Sequence, residues 1–169
     1  MNTISGNLDK KINWSAMIMF ALGFWLSGSF ILDFVLIPSL SASGMMAEGG
    51  FASAGFVIFG IFNHIEVVCA AIVLTGFLVF SHHHNLSEKQ ERWSVIIASL
   101  LLIITLAYTY IFTPQMTSLG LNLNWLNPNT EMPSAMIPMH AFYWLLETIK
   151  FFGGAILLKW CYRNSCRIV

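Results

Sequence analysis

The chain alternates long apolar runs with short polar segments. Four runs dominate, at residues 14–40, 51–80, 93–112 and 137–160. Each is long enough to cross a hydrocarbon core of about 30 Å as a helix, which takes about 20 apolar residues. A membrane β-barrel would show short segments that alternate apolar and polar residues, and the run Val95–Leu106 has no such alternation. The pattern therefore predicts four membrane-spanning α-helices.

We expect these helices to form one transmembrane domain over residues 1–169, an all-α, integral membrane four-helix bundle. Prolines stand near the ends of the runs. Pro38 is expected to close the first span, Pro114 follows the third, and Pro138 lies at the start of the fourth, where the first helical turn tolerates it.

Lysine and arginine predict the orientation of the bundle, because they are enriched in cytoplasmic loops. The loops 41–50 and 115–136 contain none. All the positive charge outside the spans therefore lies on one side, which predicts cytoplasmic or stromal termini in a bacterial inner, thylakoid or organelle membrane. The charges are Lys10, Lys11, Lys89, Arg92, Lys159, Arg163 and Arg167.

The composition is typical of a membrane protein and argues against nucleic-acid binding. Charged residues make up 9% of the chain, compared with about a quarter in soluble domains, and mean hydropathy is +0.72. The formal net charge of zero argues against a nucleic-acid partner, which requires a basic face. We find no nucleophile with an accompanying base, so we predict that the protein is not an enzyme.

Ionisable and polar residues inside the predicted spans form the main candidate site. A charged side chain at mid-membrane costs about 2.5–3.5 kcal/mol on insertion scales, so these residues need pairing or protonation. Those on the fourth span are spaced by three or four residues, which places them on one helix face. Among them, Lys150 has two candidate carboxylate partners, Glu66 and Glu147. The predicted polar seam comprises Asp33, Asn63, Glu66, His140, Tyr143, Glu147 and Lys150.

Two interpretations of the seam remain open. Glu66, Glu147 and Lys150 can form a buried ionic cluster that sets helix register. Alternatively, two deep acids for one deep base leave a carboxyl protonated or able to titrate, as in a proton or substrate path. Asp33, with Ser29 one turn before it, lies nearer the outer face, and for Asp33 alone we expect simple hydration.

Histidine and methionine raise the question of a cofactor, whose identity the sequence leaves unknown. His64 is two residues from Glu66, so the two side chains cannot face the same seam. His64 is a candidate for bonding a neighbouring helix, contacting a partner, or ligating haem or chlorophyll. Thioethers and imidazole also suit Cu(I). The candidate copper ligands near the outer surface are Met132, Met136, Met139 and His140.

The chain resembles a four-helix membrane family of unknown function that includes the cisplatin-resistance-associated transmembrane protein. The similar positions are Trp25, Gly28, 33–38, 59–66, 110–114 and His140. The resemblance implies the same four-helix architecture and supplies no reaction. Members often carry an arginine soon after the proline that ends span three, whereas Gln115 and Met116 follow Pro114 here. No anion-binding role is carried over.

Three functions are consistent with the sequence. The first is a non-enzymatic structural or assembly component that packs as a homo-oligomer or within a larger membrane complex, such as a photosynthetic or respiratory assembly. The second is a small proton-coupled transporter or permease in which Glu66, Glu147 and Lys150 form the binding site, and which is expected to need a dimer for alternating access. The third is a haem- or copper-binding membrane protein. In each case the lipid bilayer is the surrounding partner.

Overall fold

The structure, a computed structural model, describes residues 13–44, 51–82, 87–118 and 136–165. Within these ranges the backbone is helical apart from helix ends, and no strand is present. The elements are α1 (Trp14–Phe30), a π-helical segment (Ile31–Leu36), α2 (Ile37–Ala42), α3 (Phe51–His82), α4 (Glu88–Ala107), a second π-helical segment (Tyr108–Phe112), α5 (residues 113–118) and α6 (Met136–Ser165).

The described elements contain four helices that are long and apolar enough to cross a membrane, which confirms the predicted all-helical architecture of four membrane-length helices. The third is longer than its apolar run, because its helix begins at Glu88 and continues beyond Phe112. We refer to the four as spans 1 to 4: Trp14–Leu40, Ser53–His82, Glu88–Ser118 and Ile137–Arg163.

Two prolines lie within helical backbone where the sequence predicted helix ends. A proline ring in a helix clashes with the carbonyl four residues earlier and removes one backbone hydrogen bond. For Pro38 and Pro114 those carbonyls belong to Phe34 and Tyr110, and both lie in the π-helical segments. The wider π-helical turn shifts these carbonyls away from their α-helical positions. The helices therefore pass through both prolines. Span 1 still ends at Leu40, where its apolar run predicted, whereas span 3 continues past Pro114 to Ser118.

Each span packs against two others, because α3 contacts α1 and α4, and α6 contacts the same two helices. Ser15 Oγ and Cys161 Sγ lie 3.6 Å apart, so span 1 begins where span 4 ends. We call this the basic end, because it carries the described cations Lys89, Arg92, Lys159 and Arg163. The other end is called the far end. That the basic end faces the cytoplasm stays a prediction.

The half of the bundle nearer the basic end has an apolar interior. Ile18, Leu22 and Leu157 are 0% exposed, and they pack in one buried cluster with Val73 and Phe77. Large apolar side chains also cover the outside of the bundle, as expected when the surrounding solvent is hydrocarbon. Because lipid tails are as apolar as these side chains, close packing must hold this half together.

Candidate functional site: a buried acidic cluster around Lys150

Lys150 on α6 contacts both of the carboxylates that the sequence analysis named as its candidate partners. Its Nζ lies 2.6 Å from Glu66 Oε1 on α3 and 2.6 Å from Glu147 Oε1, three residues earlier on α6. All three residues are 1% exposed. Steps of three residues align side chains on a helix face, which explains the contact within α6. The pair with Glu66 joins spans 2 and 4.

Glu66 Oε1 also accepts two hydrogen bonds from span 1. Trp25 Nε1 donates over 2.9 Å and Ser29 Oγ over 2.8 Å, and both residues are buried. Hydrogen bonds to a charged acceptor are about twice as strong as those between neutral groups. One carboxylate oxygen therefore links three spans.

The sequence interpretation left Trp25 out of the seam and assigned Ser29 to Asp33. The sequence does contain a pattern that would have included both residues in the seam. Residues 25, 29 and 33 are four apart and share a face of span 1. Tryptophan looked like a packing residue, and only the approach of Glu66 makes its indole N–H a ligand of the cluster.

Asp33 is a buried member of the cluster, which corrects the expectation of simple hydration near the outer face. It is 4% exposed, and Tyr143 Oη donates to its Oδ1 over 2.8 Å. Its carboxyl group also interacts electrostatically with Lys150, Glu147 and Glu66. Asp33 belongs to the first π-helical segment, whose altered turn determines which side chains face the bundle interior.

Glu147 has one engaged oxygen and one free oxygen. Its Oε1 contacts Lys150, whereas its buried Oε2 has no hydrogen-bond partner among the described residues. A buried acceptor without a donor costs about 1–3 kcal/mol, and more when it is charged. The nearby Tyr108 hydroxyl donates to the Tyr143 carbonyl over 3.2 Å and also interacts with the Glu147 carboxyl group.

The cluster contains more acids than bases. Asp33, Glu66 and Glu147 bring three carboxyl groups, and Lys150 brings one ammonium group, whose Nζ also lies 5.6 Å from the Tyr108 ring centroid. With every group ionised, the formal charge of the cluster would be −2. Within the described part of the chain, no group of three or more His, Cys, Asp or Glu residues is placed to hold a metal ion.

Asn63 and His140 lie one helical turn from the cluster, towards the far end. Asn63 is buried, and its Nδ2 donates to Thr113 Oγ1 over 2.7 Å, which joins span 2 to α5. His140 is half-buried and precedes Tyr143 by three residues on α6. The structure therefore gathers five of the seven predicted seam residues, Asp33, Glu66, Tyr143, Glu147 and Lys150, in one cluster.

His64 points away from the cluster, as its spacing from Glu66 predicted. It is exposed on the outside of α3, with Nδ1 2.6 Å from the Gly60 carbonyl oxygen and its ring edge-on to Tyr110. Haem or chlorophyll ligation by His64 stays a prediction.

The candidate copper ligands are only partly described. Met139 is half-buried, like His140, at the start of span 4. Met132 and the Met136 side chain lie outside the described residues. The copper hypothesis therefore stays a prediction.

Comparison with protein-family models, with curated proteins and with solved structures found no match to this chain. The family resemblance stays a prediction, and the role of the site must be argued from its geometry.

Proposed function

We propose that this multi-pass membrane protein is a small, non-enzymatic proton-coupled transporter or permease. In this proposal the cluster of Asp33, Glu66, Glu147 and Lys150 takes up and releases protons as the helices rearrange. One observation carries the proposal: three buried carboxyl groups lie in one cluster with a single lysine, and one of their oxygens, Glu147 Oε2, has no donor in the described part of the chain.

A purely structural ion pair would not need this surplus. Glu66 and Lys150, with the donors Trp25 and Ser29, already connect spans 1, 2 and 4. Asp33 and Glu147 add negative charge where a mid-membrane charge is costly. Protonating both would make the cluster formally neutral, and releasing a proton would restore a net negative charge beside Lys150. Proton exchange therefore changes the electrostatic energy of the contacts between helices.

The backbone around the cluster is suited to rearrangement. Asp33 and Tyr108 both lie in π-helical segments, which are frequent at functional sites. Four spans provide little surface for alternating access, so a dimer is expected to be the transporting unit. A change in hydrogen bonding at either segment would reorient one wall of the cluster relative to Lys150.

Two measurements test this function on the purified protein. The first is infrared detection of protonated carboxyl groups during a pH titration in detergent, with Glu147→Gln as the variant. The second uses proteoliposomes that contain a pH-sensitive dye and are exposed to pools of low-molecular-weight solutes. We expect a titrating carboxyl band that Glu147→Gln diminishes, and proton uptake driven by at least one pool in the unmodified protein. A band that does not titrate, together with no solute-driven uptake, would refute the proposal.

An assembly role is the second candidate, supported by a groove on the outer surface between α4 and α6. It has a volume of about 270 Å³ and an almost wholly apolar lining that includes Ile97, Leu100, Thr148, Phe152, Gly153 and Ile156. Such a groove fits a helix from another membrane subunit. Stoichiometric partner subunits after mild solubilisation, combined with a carboxyl band that does not titrate, would favour this role.

A further inference from the structure

We infer that protons reach the cluster from the far end of the bundle, with Asp33 as the entry carboxyl and Tyr143 as its positioning residue. The half nearer the basic end seals the cluster in this conformation. This inference rests on the proposed function and adds to it a side of access and two residues with defined roles.

The seal consists of buried apolar side chains. On span 2, every buried side chain from Cys69 to Phe80 in the described structure is apolar, a stretch of about 17 Å at about 1.5 Å per residue. On span 3, no buried polar side chain of the described residues lies between Ser94 and Thr105. Ile18, Leu22 and Leu157 fill the space between these helices and are 0% exposed. A proton would need to cross this interior without hydrogen-bonding groups.

The opposite direction offers polar groups on every span. Asp33 lies on span 1, Asn63 on span 2 and Thr109 on span 3, and all three are buried. Tyr143 lies one turn beyond Glu147 on span 4, and the half-buried His140 lies one turn beyond Tyr143. These groups continue from the cluster towards the far end without a break, whereas towards the basic end buried polar side chains of span 3 resume only at Ser94 and Glu91.

Asp33 and Tyr143 are placed to control entry. Tyr143 Oη donates to Asp33 Oδ1 over 2.8 Å, which holds the carboxyl group beside the cluster. Glu147 is surrounded by Lys150 and Tyr143 on its own helix, Asp33 from span 1, Glu66 from span 2 and Tyr108 from span 3. Two of these neighbours, Asp33 and Glu66, carry carboxyl groups. Of the two, Asp33 lies nearer the far end of the bundle.

The proton step that follows is simple. A proton from water at the far end binds the Asp33 carboxylate, and it then passes to the free Oε2 of Glu147. Asp33 returns to its carboxylate form and Glu147 becomes a neutral acid. One proton moves and no electron is transferred, so the step needs no further reactant.

The test uses proteoliposomes whose orientation is established by protease access to a tag at the C-terminus. The pH is lowered on one side at a time, and the rise of the protonated carboxyl band is followed by time-resolved infrared spectroscopy. We expect acid at the far end to raise the band more than about tenfold faster than acid at the basic end, because a charge is disfavoured inside the apolar half. Equal rates from both sides would overturn the inference and leave the proposed function standing.

Two variants assign the roles. Asp33→Asn keeps an oxygen that accepts from Tyr143, so the fold should be retained, and we expect the fast response from the far end to be lost. Tyr143→Phe keeps the ring and should slow that response without abolishing it. A far-end response that is as fast in Asp33→Asn as in the unmodified protein would remove Asp33 as the entry carboxyl. A band that responds to acid on neither side would overturn both this inference and the proposed function.

Discussion

The two halves of the bundle are held together by different interactions. Nearer the basic end, Ile18, Leu22 and Leu157 interlock without a polar contact of their side chains. Nearer the far end, Glu66 and Lys150 connect three spans through hydrogen bonds and an ion pair. Breaking a polar contact here leaves a buried polar or charged group unpaired, whereas breaking an apolar contact does not, so losing a polar partner should cost more. In the proposed function, proton exchange acts on the contacts of this polar half.

The largest effect is expected from Lys150→Ala. It leaves Glu66 and Glu147 buried without their cation, and removing one partner of a buried ion pair typically costs about 3–5 kcal/mol. Reversible unfolding in mixed detergent micelles would measure the free energy of unfolding.

Adding Glu66→Gln to Lys150→Ala should recover part of the loss, because it removes one uncompensated charge. Lys159→Ala is the matched control, since Lys159 is exposed at the basic end and its removal should change stability little. A double variant no more stable than Lys150→Ala would show that pairing with Glu66 does not account for the effect.

A smaller effect is expected in the apolar half from Leu157→Ala, at about 2 kcal/mol. In soluble proteins this change costs about 2–5 kcal/mol, and the transfer component is small when the surrounding solvent is hydrocarbon. The same unfolding measurement applies, with Leu145→Ala as the control because Leu145 is 55% exposed on the same helix. A loss exceeding that of Lys150→Ala would reverse the ranking of the two halves.

The smallest effect is expected from Ser29→Ala, at about 1 kcal/mol. It removes one donor to Glu66 Oε1, but Lys150 and Trp25 continue to satisfy that oxygen. Ser27→Ala is the control, because the exposed Ser27 hydroxyl donates only to the Gly23 carbonyl within α1. Identical stabilities of the two variants would show that the span 1 contact adds nothing to the cluster.

The site could be predicted from sequence only where its residues share one helix. Glu147 and Lys150 are three residues apart on span 4, so helical geometry alone aligned them. Trp25 and Ser29 lie 41 and 37 residues from Glu66, and no periodicity joins positions on different helices. Asp33 seemed close to the surface by counting residues, whereas burial depends on the neighbouring span that covers it, here through Tyr143.

Sequence alone predicted four apolar helices, the helix face that carries Glu147 and Lys150, and the opposite direction of His64. These follow from local hydropathy and from the helical repeat, which any stretch of helix obeys. Only the tertiary contacts bring Glu66 and Glu147 together on one lysine with Asp33 nearby, and carry the helices past Pro38 and Pro114 through π-helical segments. Both depend on the rotation and depth of one helix against another, which side-chain packing sets and sequence spacing does not encode.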